Sequence, residues 1–128
     1  MKKILIVDDD EAVLQFLSIF FAEGELSGTY QLLQAVNCKD AIELFKKNQN
    51  DIVAVCLDAS LIRSNPRKVD TYPVLNEVKL HNFKGPIITM SSDPFLQMEM
   101  CKAGCTHSVK MKTDVMDILE ELLLKKVA

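Results

Sequence analysis

Short apolar segments alternate with segments of helical spacing along the chain, and this alternation is the strongest constraint on its fold. The apolar segments are rich in Ile, Val and Leu, and no hairpin signals join them, which is typical of strands buried on both faces of a parallel sheet. The predicted strands are Lys3–Val7, Tyr30–Ala35, Ile52–Leu57, Pro86–Met90 and a weaker one around Ser108–Lys110. The pattern predicts a doubly wound α/β domain of five parallel strands with helices on both faces.

The helical segments lie between and after these strands and carry recognisable start and stop signals. Asn37, with Asp40 three residues later, predicts a helix start, and Gly104 predicts a helix end. The predicted helices are Glu11–Glu23, about Lys39–Lys47, about Tyr72–Leu80, about Phe95–Ala103 and one that begins at Thr113 or Asp114. The segment Ala59–Val69 breaks the rhythm and is predicted to be a longer surface loop.

Composition narrows the class of protein. The chain has 128 residues, of which 48% are hydrophobic, and this is enough for one globular domain spanning residues 1–128. The formal net charge of −3 argues against direct nucleic-acid binding, which needs a basic face. The apolar run Ile4–Val7 is too short for a signal peptide, and no stretch is long enough to span a membrane. We therefore expect a cytoplasmic protein without membrane contact.

Aspartates follow two of the predicted strands at the edge where this fold class places its ligand sites. Asp8, Asp9 and Asp10 follow the first strand, and Asp58 follows the third. Neighbouring carboxylates repel one another unless a cation compensates, and such hard oxygen ligands suit Mg²⁺. Simpler interpretations exist for two of them, because Asp10 is a natural N-cap of the following helix and a lone Asp58 is ordinary turn chemistry.

The four cysteines, Cys38, Cys56, Cys101 and Cys105, raise a metal-thiolate interpretation, with His107 close by. A zinc site normally needs a second paired cluster of ligands, and the sequence has none. We expect small apolar residues in a reducing compartment instead.

Taken together, these segments resemble the receiver domain of two-component response regulators over essentially the whole chain. Ile4–Asp10 is similar to the first strand with its acidic turn, and Ile52–Asp58 is similar to the third strand ending in the phosphoacceptor. Pro86–Ser92 is similar to the fourth strand with its hydroxyl residue, and Ala103–Cys105 to the motif after the fourth helix. The resemblance implies a flavodoxin-like sheet with strand order 2-1-3-4-5.

The same resemblance implies a role for five positions. Asp58 would accept the phosphoryl group from a histidine kinase, a phosphotransfer protein or a small phosphodonor. Asp9, Asp58 and the backbone carbonyl of Ser60 would hold Mg²⁺, and Asp8 would act through water. Ser91 would hydrogen-bond a phosphoryl oxygen, although a hydroxyl at this place could merely satisfy a turn.

The lysine that pairs with the phosphoryl group in this family has no obvious counterpart. Counting without gaps from Gly104, its position is Met111, and Lys112 replaces the proline that usually follows. The apolar stripe of the last helix supports this count. A one-residue slip would instead bring Lys110 to the site, and the sequence leaves Lys110 and Met111 open. On the ungapped count, Lys110 and Lys112 are expected to be exposed and solvated.

Two functional hypotheses follow, and a third is weak. The first is a phosphorylatable switch that changes its affinity for a downstream protein partner. The second is a degenerate receiver that serves as a phosphorylation-independent interaction module, favoured by Met111 and by Ser108 or His107 in place of the family's aromatic switch residue. A small enzyme of the same fold would need a glycine-rich phosphate loop, and three aspartates occupy that place.

Overall fold

The structure is a computed structural model that describes residues 1–61 and 68–124, and a five-stranded sheet forms its centre. The strands are β1 (Lys2–Val7), β2 (Tyr30–Ala35), β3 (Ile52–Leu57), β4 (Ile87–Thr89) and β5 (His107–Ser108). The helices are α1 (Glu11–Glu23), α2 (Cys38–Asn48), α3 (Tyr72–Leu80), α4 (Pro94–Ala103) and α5 (Val115–Leu124). Short 3₁₀ turns lie at Leu26–Gly28 and Lys112–Asp114.

The sheet is parallel throughout, with strand order β2-β1-β3-β4-β5, which confirms the predicted fold. Its register aligns the carboxyl ends of the central strands, because Val7 pairs with both Ala35 and Leu57, and Leu57 pairs with Thr89. The residues that directly follow β1, β3 and β4 therefore meet at one edge.

Two apolar layers, one on each face of the sheet, hold the domain together. Alternate side chains of β1 and β3 enter opposite layers, as the two-residue period of a strand requires. One layer packs α2, α3 and α4 against the sheet, and the other packs α1 and α5. The largest side chains with under 2% exposure are Ile4, Leu5, Ile6, Leu17, Leu26, Phe45, Leu57, Leu75, Ile88, Met90, Met100 and Leu119.

The predicted helix signals are confirmed at three places. Asn37 Oδ1 accepts a hydrogen bond of 2.8 Å from the Asp40 backbone N–H at the start of α2. Asp10 Oδ1 accepts one of 2.9 Å from the Ala12 N–H, so Asp10 is the N-cap of α1. Gly104 ends α4 with a φ of 133°, a conformation that favours glycine.

The prediction for the fifth strand was wrong by one to two residues. β5 comprises His107 and Ser108, whereas the sequence suggested Ser108–Lys110. Its two pairs with β4, Ile88 with His107 and Thr89 with Ser108, are the whole of the β4–β5 ladder. Beyond Ser108 the chain leaves the sheet and forms a 3₁₀ turn before α5.

Hydrogen bonds close both ends of the predicted surface loop. The Asp70 N–H donates to the Ala59 carbonyl at 3.0 Å, and Asp70 Oδ1 accepts from the Leu61 N–H at 2.8 Å. Residues 62–67 of this loop lie outside the described part of the chain.

Among the described residues, no helix has the length and apolar character needed to cross a membrane.

Two buried threonine hydroxyls allow a test of this packing. Both threonines are fully buried; Thr71 Oγ1 donates to the Ala59 carbonyl at 3.2 Å, whereas Thr89 Oγ1 has no hydrogen-bond partner among the described residues. A buried polar group without a partner costs roughly 1–3 kcal/mol. Thr89→Val should therefore raise the free energy of unfolding by about 1 kcal/mol, measured by urea denaturation.

Thr71→Val is the matched control, since it makes the same chemical change at a hydroxyl that is hydrogen-bonded. It should lower the free energy of unfolding by about 1 kcal/mol because the Ala59 carbonyl loses its donor. Equal destabilisation by both substitutions would contradict the assignment of Thr89 as an unsatisfied group.

Candidate functional site

Three carboxylates converge at the carboxyl edge of the sheet. The side chains of Asp8, Asp9 and Asp58 each offer an oxygen, and these oxygens lie within 4.8 Å of one another. Asp8 has no solvent exposure, and Asp58 is 9% exposed. The predicted acidic cluster is therefore present; Asp8 and Asp58 are largely removed from water, and Asp9 is half-buried.

Backbone hydrogen bonds continue the sheet ladder to these residues and fix their places. The Asp58 N–H donates to the Val7 carbonyl at 3.0 Å, and the Asp8 N–H donates to the Ala35 carbonyl at 3.1 Å. Asp8 Oδ1 in turn accepts from the Asp10 N–H at 2.9 Å, which holds the acidic turn in shape. Asp8 and Asp58 thus face a common pocket because their strands are neighbours in register.

A lysine that was expected from the sequence to be solvated lies in this pocket. Lys112 Nζ donates to Asp8 Oδ2 at 2.5 Å and to Asp58 Oδ2 at 3.1 Å. Its side chain is only 27% exposed. The expectation that Lys112 is an exposed lysine was wrong, because its ammonium bridges two of the three carboxylates.

The correction has a physical reason in the path of the chain after β5. Val109 is buried, Lys110 and Met111 are exposed, and Met111 has an extended backbone with φ −136° and ψ 145°. The chain then turns at Lys112, which starts the 3₁₀ turn. Lys112 therefore reaches back over the carboxyl edge, whereas Lys110 forms no salt bridge with these carboxylates among the described residues.

Counting residues from Gly104 does not identify Lys112, because the count assumes that the fifth strand continues without interruption up to the pocket, whereas β5 ends at Ser108. The signal that could have pointed there is electrostatic. Three crowded carboxylates are stabilised by a neighbouring cation, which a methionine cannot supply. The cationic residues on either side of Met111 are Lys110 and Lys112. Only the turn geometry decides between these two lysines.

The environment shifts the pKa values of both partners upward. Burial raises the pKa of Asp58, the charge of Lys112 opposes this, and the charge of Asp8 adds to it. Burial lowers the pKa of Lys112, but its hydrogen bond to Asp8 and the charges of Asp58 and Asp8 outweigh burial and raise it. Lys112 is consequently protonated at neutral pH and places a positive charge beside Asp8 and Asp58.

Ser91 lies at the same edge of the sheet, two residues beyond the end of β4. The Met90 N–H donates to the Leu57 carbonyl at 3.0 Å, which extends the β3–β4 ladder and aligns Ser91 with the Asp58 end of β3. Ser91 is 6% exposed, and its Oγ accepts from the Asp93 N–H at 3.3 Å. That bond uses a lone pair of the hydroxyl, so its hydrogen can still be donated.

The donor set fits a hard divalent cation. Carboxylate oxygens are the ligands that Mg²⁺ prefers, and Mg²⁺ commonly binds through one or two carboxylates. Asp9 and Asp58 offer such oxygens, Asp8 completes the cluster, and Ser60 lies two residues beyond Asp58 with a backbone carbonyl. Carboxylates held this close together favour a bound cation.

The cysteines form no comparable cluster. All four are free thiols, and burial raises the pKa of Cys105 to about 12. Cys56 and Cys105 are buried as apolar residues, as expected, whereas Cys101 is exposed and Cys38 half-buried. Within residues 1–61 and 68–124, the group of metal-ligating side chains is the aspartate cluster.

Two solved structures superimpose on nearly the whole of this chain. A response regulator receiver protein from Pseudoalteromonas atlantica superimposes with a TM-score of 0.70 at 16% identity, covering 98% of this chain and 99% of that one. A response regulator receiver domain protein from Clostridium thermocellum gives 0.70 at 20% identity, covering 98% and 97%. The chain has the receiver-domain fold.

A third receiver-fold comparison comes from a complex. The structure of the P1 domain of CheA3 in complex with CheY6 from R. sphaeroides gives a TM-score of 0.72 at 18% identity, covering 96% of this chain and 97% of that one. By sequence, no family model and no curated protein gives a significant match. At these identities the likeness establishes the receiver fold, and the function has to be argued from the site.

The hydrogen bonds of Lys112 to Asp8 and Asp58 predict how a substitution of Lys112 changes stability and Mg²⁺ affinity. Lys112→Met should lower the free energy of unfolding by about 1–3 kcal/mol in the presence of EDTA, because Asp8 and Asp58 lose a charged donor. Mg²⁺ should then bind at least about fivefold more tightly, since unit charges 4 Å apart repel by about 1 kcal/mol even in bulk water. Urea denaturation and calorimetric titration with Mg²⁺ measure the two effects.

Lys110→Met is the matched control, because Lys110 is exposed and two residues away. It should change neither quantity measurably. If instead Lys110→Met produced both effects and Lys112→Met neither, the one-residue slip considered from the sequence would be correct.

Proposed function

We propose that this chain is a receiver domain that accepts a phosphoryl group on Asp58 in a Mg²⁺-dependent reaction and thereby switches its affinity for a protein partner. The observation that carries the proposal is the Asp8–Asp9–Asp58 cluster bridged by Lys112. A buried carboxylate with a protonated lysine at 3.1 Å and two further carboxylates nearby is suited to receive a phosphoryl group.

The reaction requires little acid–base chemistry from the protein. An Asp58 oxygen attacks phosphorus in line, the new P–O bond forms as the bond to the donor breaks, and the leaving group retains the electron pair. The donor is a phosphohistidine of a kinase or phosphotransfer protein, or a small acyl phosphate. Phosphoryl transfer depends chiefly on positioning and charge neutralisation.

Each residue of the pocket has a part in that neutralisation. Asp9, Asp58 and the Ser60 carbonyl would hold Mg²⁺, and Asp8 would act through water. The metal supplies positive charge for the phosphoryl oxygens. Lys112, which is already hydrogen-bonded to Asp58, would donate to a phosphoryl oxygen in a charge-assisted bond. Ser91 would donate its hydroxyl hydrogen to another oxygen.

Exposed apolar side chains on α4 and between β5 and α5 indicate where a protein partner would bind. Phe95 and Met98 on α4 are 57% and 46% exposed, and Met111, between β5 and α5, is 60% exposed. Apolar side chains of this size are typical of the centres of protein interfaces. We infer a downstream protein partner here, and a histidine kinase or phosphotransfer protein as the phosphodonor.

The second candidate function is a phosphorylation-independent interaction module. It draws on the same exposed side chains and on the small, exposed Ser108, which stands where the resemblance places an aromatic switch residue. The argument from a missing lysine no longer supports it, because Lys112 lies in the pocket. A module of this kind would bind its partner equally well with and without a phosphodonor.

Labelling with acetyl phosphate and Mg²⁺ separates the two. Intact-mass spectrometry should show one labile phosphoryl group on the wild type and none on Asp58→Asn, because Asp58 is the proposed acceptor. The matched control is Asp51→Asn, which removes a carboxylate that pairs with Lys3 at the opposite end of β3 and should leave labelling intact.

Two outcomes would contradict the proposal. Labelling that persists in Asp58→Asn would reject Asp58 as the acceptor. A wild type that binds Mg²⁺ but takes no label from acetyl phosphate or any phosphohistidine donor would favour the interaction module.

A further inference from the structure

Gln97, on the second turn of α4, bridges two backbone carbonyls on the segments that follow β4 and β5. Its Nε2 donates to the Ser91 carbonyl at 2.6 Å and to the Val109 carbonyl at 2.8 Å. A side-chain amide nitrogen carries two hydrogens, so both are used. The Gln97 backbone N–H is bonded to the Asp93 carbonyl at 2.9 Å, which fixes the residue in the helix.

The bridge takes the place of a sheet ladder where that ladder ends. β4 and β5 pair at only two positions, Ile88 with His107 and Thr89 with Ser108. Beyond these pairs the carbonyls of Ser91 and Val109 are acceptors on adjacent chain segments, and two acceptors cannot bond each other. One amide nitrogen with two hydrogens satisfies both and joins the two segments to α4.

Both segments lead directly into the acidic pocket. Ser91 follows β4 at the same edge of the sheet as Asp58, and its Oγ accepts from the N–H of Asp93, the N-cap of α4. Val109 is three residues before Lys112, whose ammonium contacts Asp8 and Asp58. Gln97 is thus hydrogen-bonded to both backbone segments, the one that carries Ser91 and the one that leads to Lys112. Under the proposed function, these are the two residues that would bond a phosphoryl group on Asp58.

We propose that Gln97 is the positioning residue that transmits occupancy of the Asp58 pocket to α4. The inference rests on the proposed function. When Ser91 and Lys112 shift to bond a phosphoryl group, the carbonyls of Ser91 and Val109 shift with them, and Gln97 carries that displacement into the helix. α4 presents Phe95 and Met98 to solvent, so a movement of this helix alters the surface offered to a partner.

Methionine methyl groups report the two ends of this connection separately. Met90 directly precedes Ser91 and is fully buried, whereas Met98 lies one residue beyond Gln97 and is exposed. In the wild type, Mg²⁺ with beryllofluoride as the phosphoryl analogue should shift the ¹³C-methyl NMR signals of both. In Gln97→Leu the Met90 shift should persist, and the Met98 shift should fall to less than half of its wild-type value.

Gln97→Asn is the second variant, because it keeps the amide but is one methylene too short to span both carbonyls. It should show the same split, and it avoids placing an apolar side chain in a polar setting. The matched control is Gln15→Leu on the exposed face of α1, which should leave both shifts unchanged.

The outcomes that reject the inference are distinguishable from those that reject the proposed function. If both Gln97 variants keep the full Met98 shift while Met90 responds, the pocket works and Gln97 does not transmit its state. If the wild type shows no Met90 response at saturating Mg²⁺ and beryllofluoride, the pocket itself does not take a phosphoryl analogue, and both proposals fail. A purely structural role for Gln97 would reduce the Met90 and Met98 responses together.

Discussion

The crowding of carboxylates at the edge of the sheet is the constraint on which the rest of the structure depends. Asp8 and Asp58 are buried next to each other because β1 and β3 are adjacent and end in register. Burial strengthens their mutual repulsion, since the surroundings screen charge less than water does. A cation has to lie beside them, and Lys112 meets that need from a segment distant in sequence.

The acidic turn after β1 divides its three residues among three tasks. Asp10 caps α1 and is bound to the helix, as the simplest interpretation of the sequence predicted. Asp8 accepts from the Asp10 N–H through one oxygen and from Lys112 through the other, so it organises the turn and holds the cation. Asp9 contributes its oxygen to the shared cluster with Asp58. Three identical side chains in a row therefore differ in role because the chain turns between them.

Regular elements could be predicted from the sequence, and irregular ones could not. The alternation of apolar and helical segments predicted the five parallel strands, and the local caps at Asn37 and Gly104 predicted helix ends, because these signals depend on neighbouring residues only. The acidic cluster was also predictable, since strand order alone brings Asp8 next to Asp58. Lys112 was not, because its reach depends on an extended residue followed by a 3₁₀ turn that no periodicity records.

Gln97 was missed for a related reason. A glutamine in a helix is compatible with a solvent-facing position, and its partners are backbone carbonyls, which leave no trace in the sequence. Its bridge exists only because the β4–β5 ladder stops after two pairs. The early end of β5 was itself mispredicted, so the residue that compensates for it could not be recognised.

The early end of β5 also decides which helix Lys112 is connected to. A lysine on a long fifth strand would be held by the ladder to β4, whereas Lys112 starts the 3₁₀ turn that runs into α5. Val115 and Met116, the first residues of α5, are buried against the sheet, so the turn has one fixed end and one end in the pocket. A change of charge at Asp58 would therefore act on two helices by separate routes, on α5 through Lys112 and on α4 through Ser91. Gln97 also donates to the carbonyl of Val109, which lies between β5 and Lys112. The same side chain is therefore bonded to the segment that leads to α5 and to the segment that leads to α4.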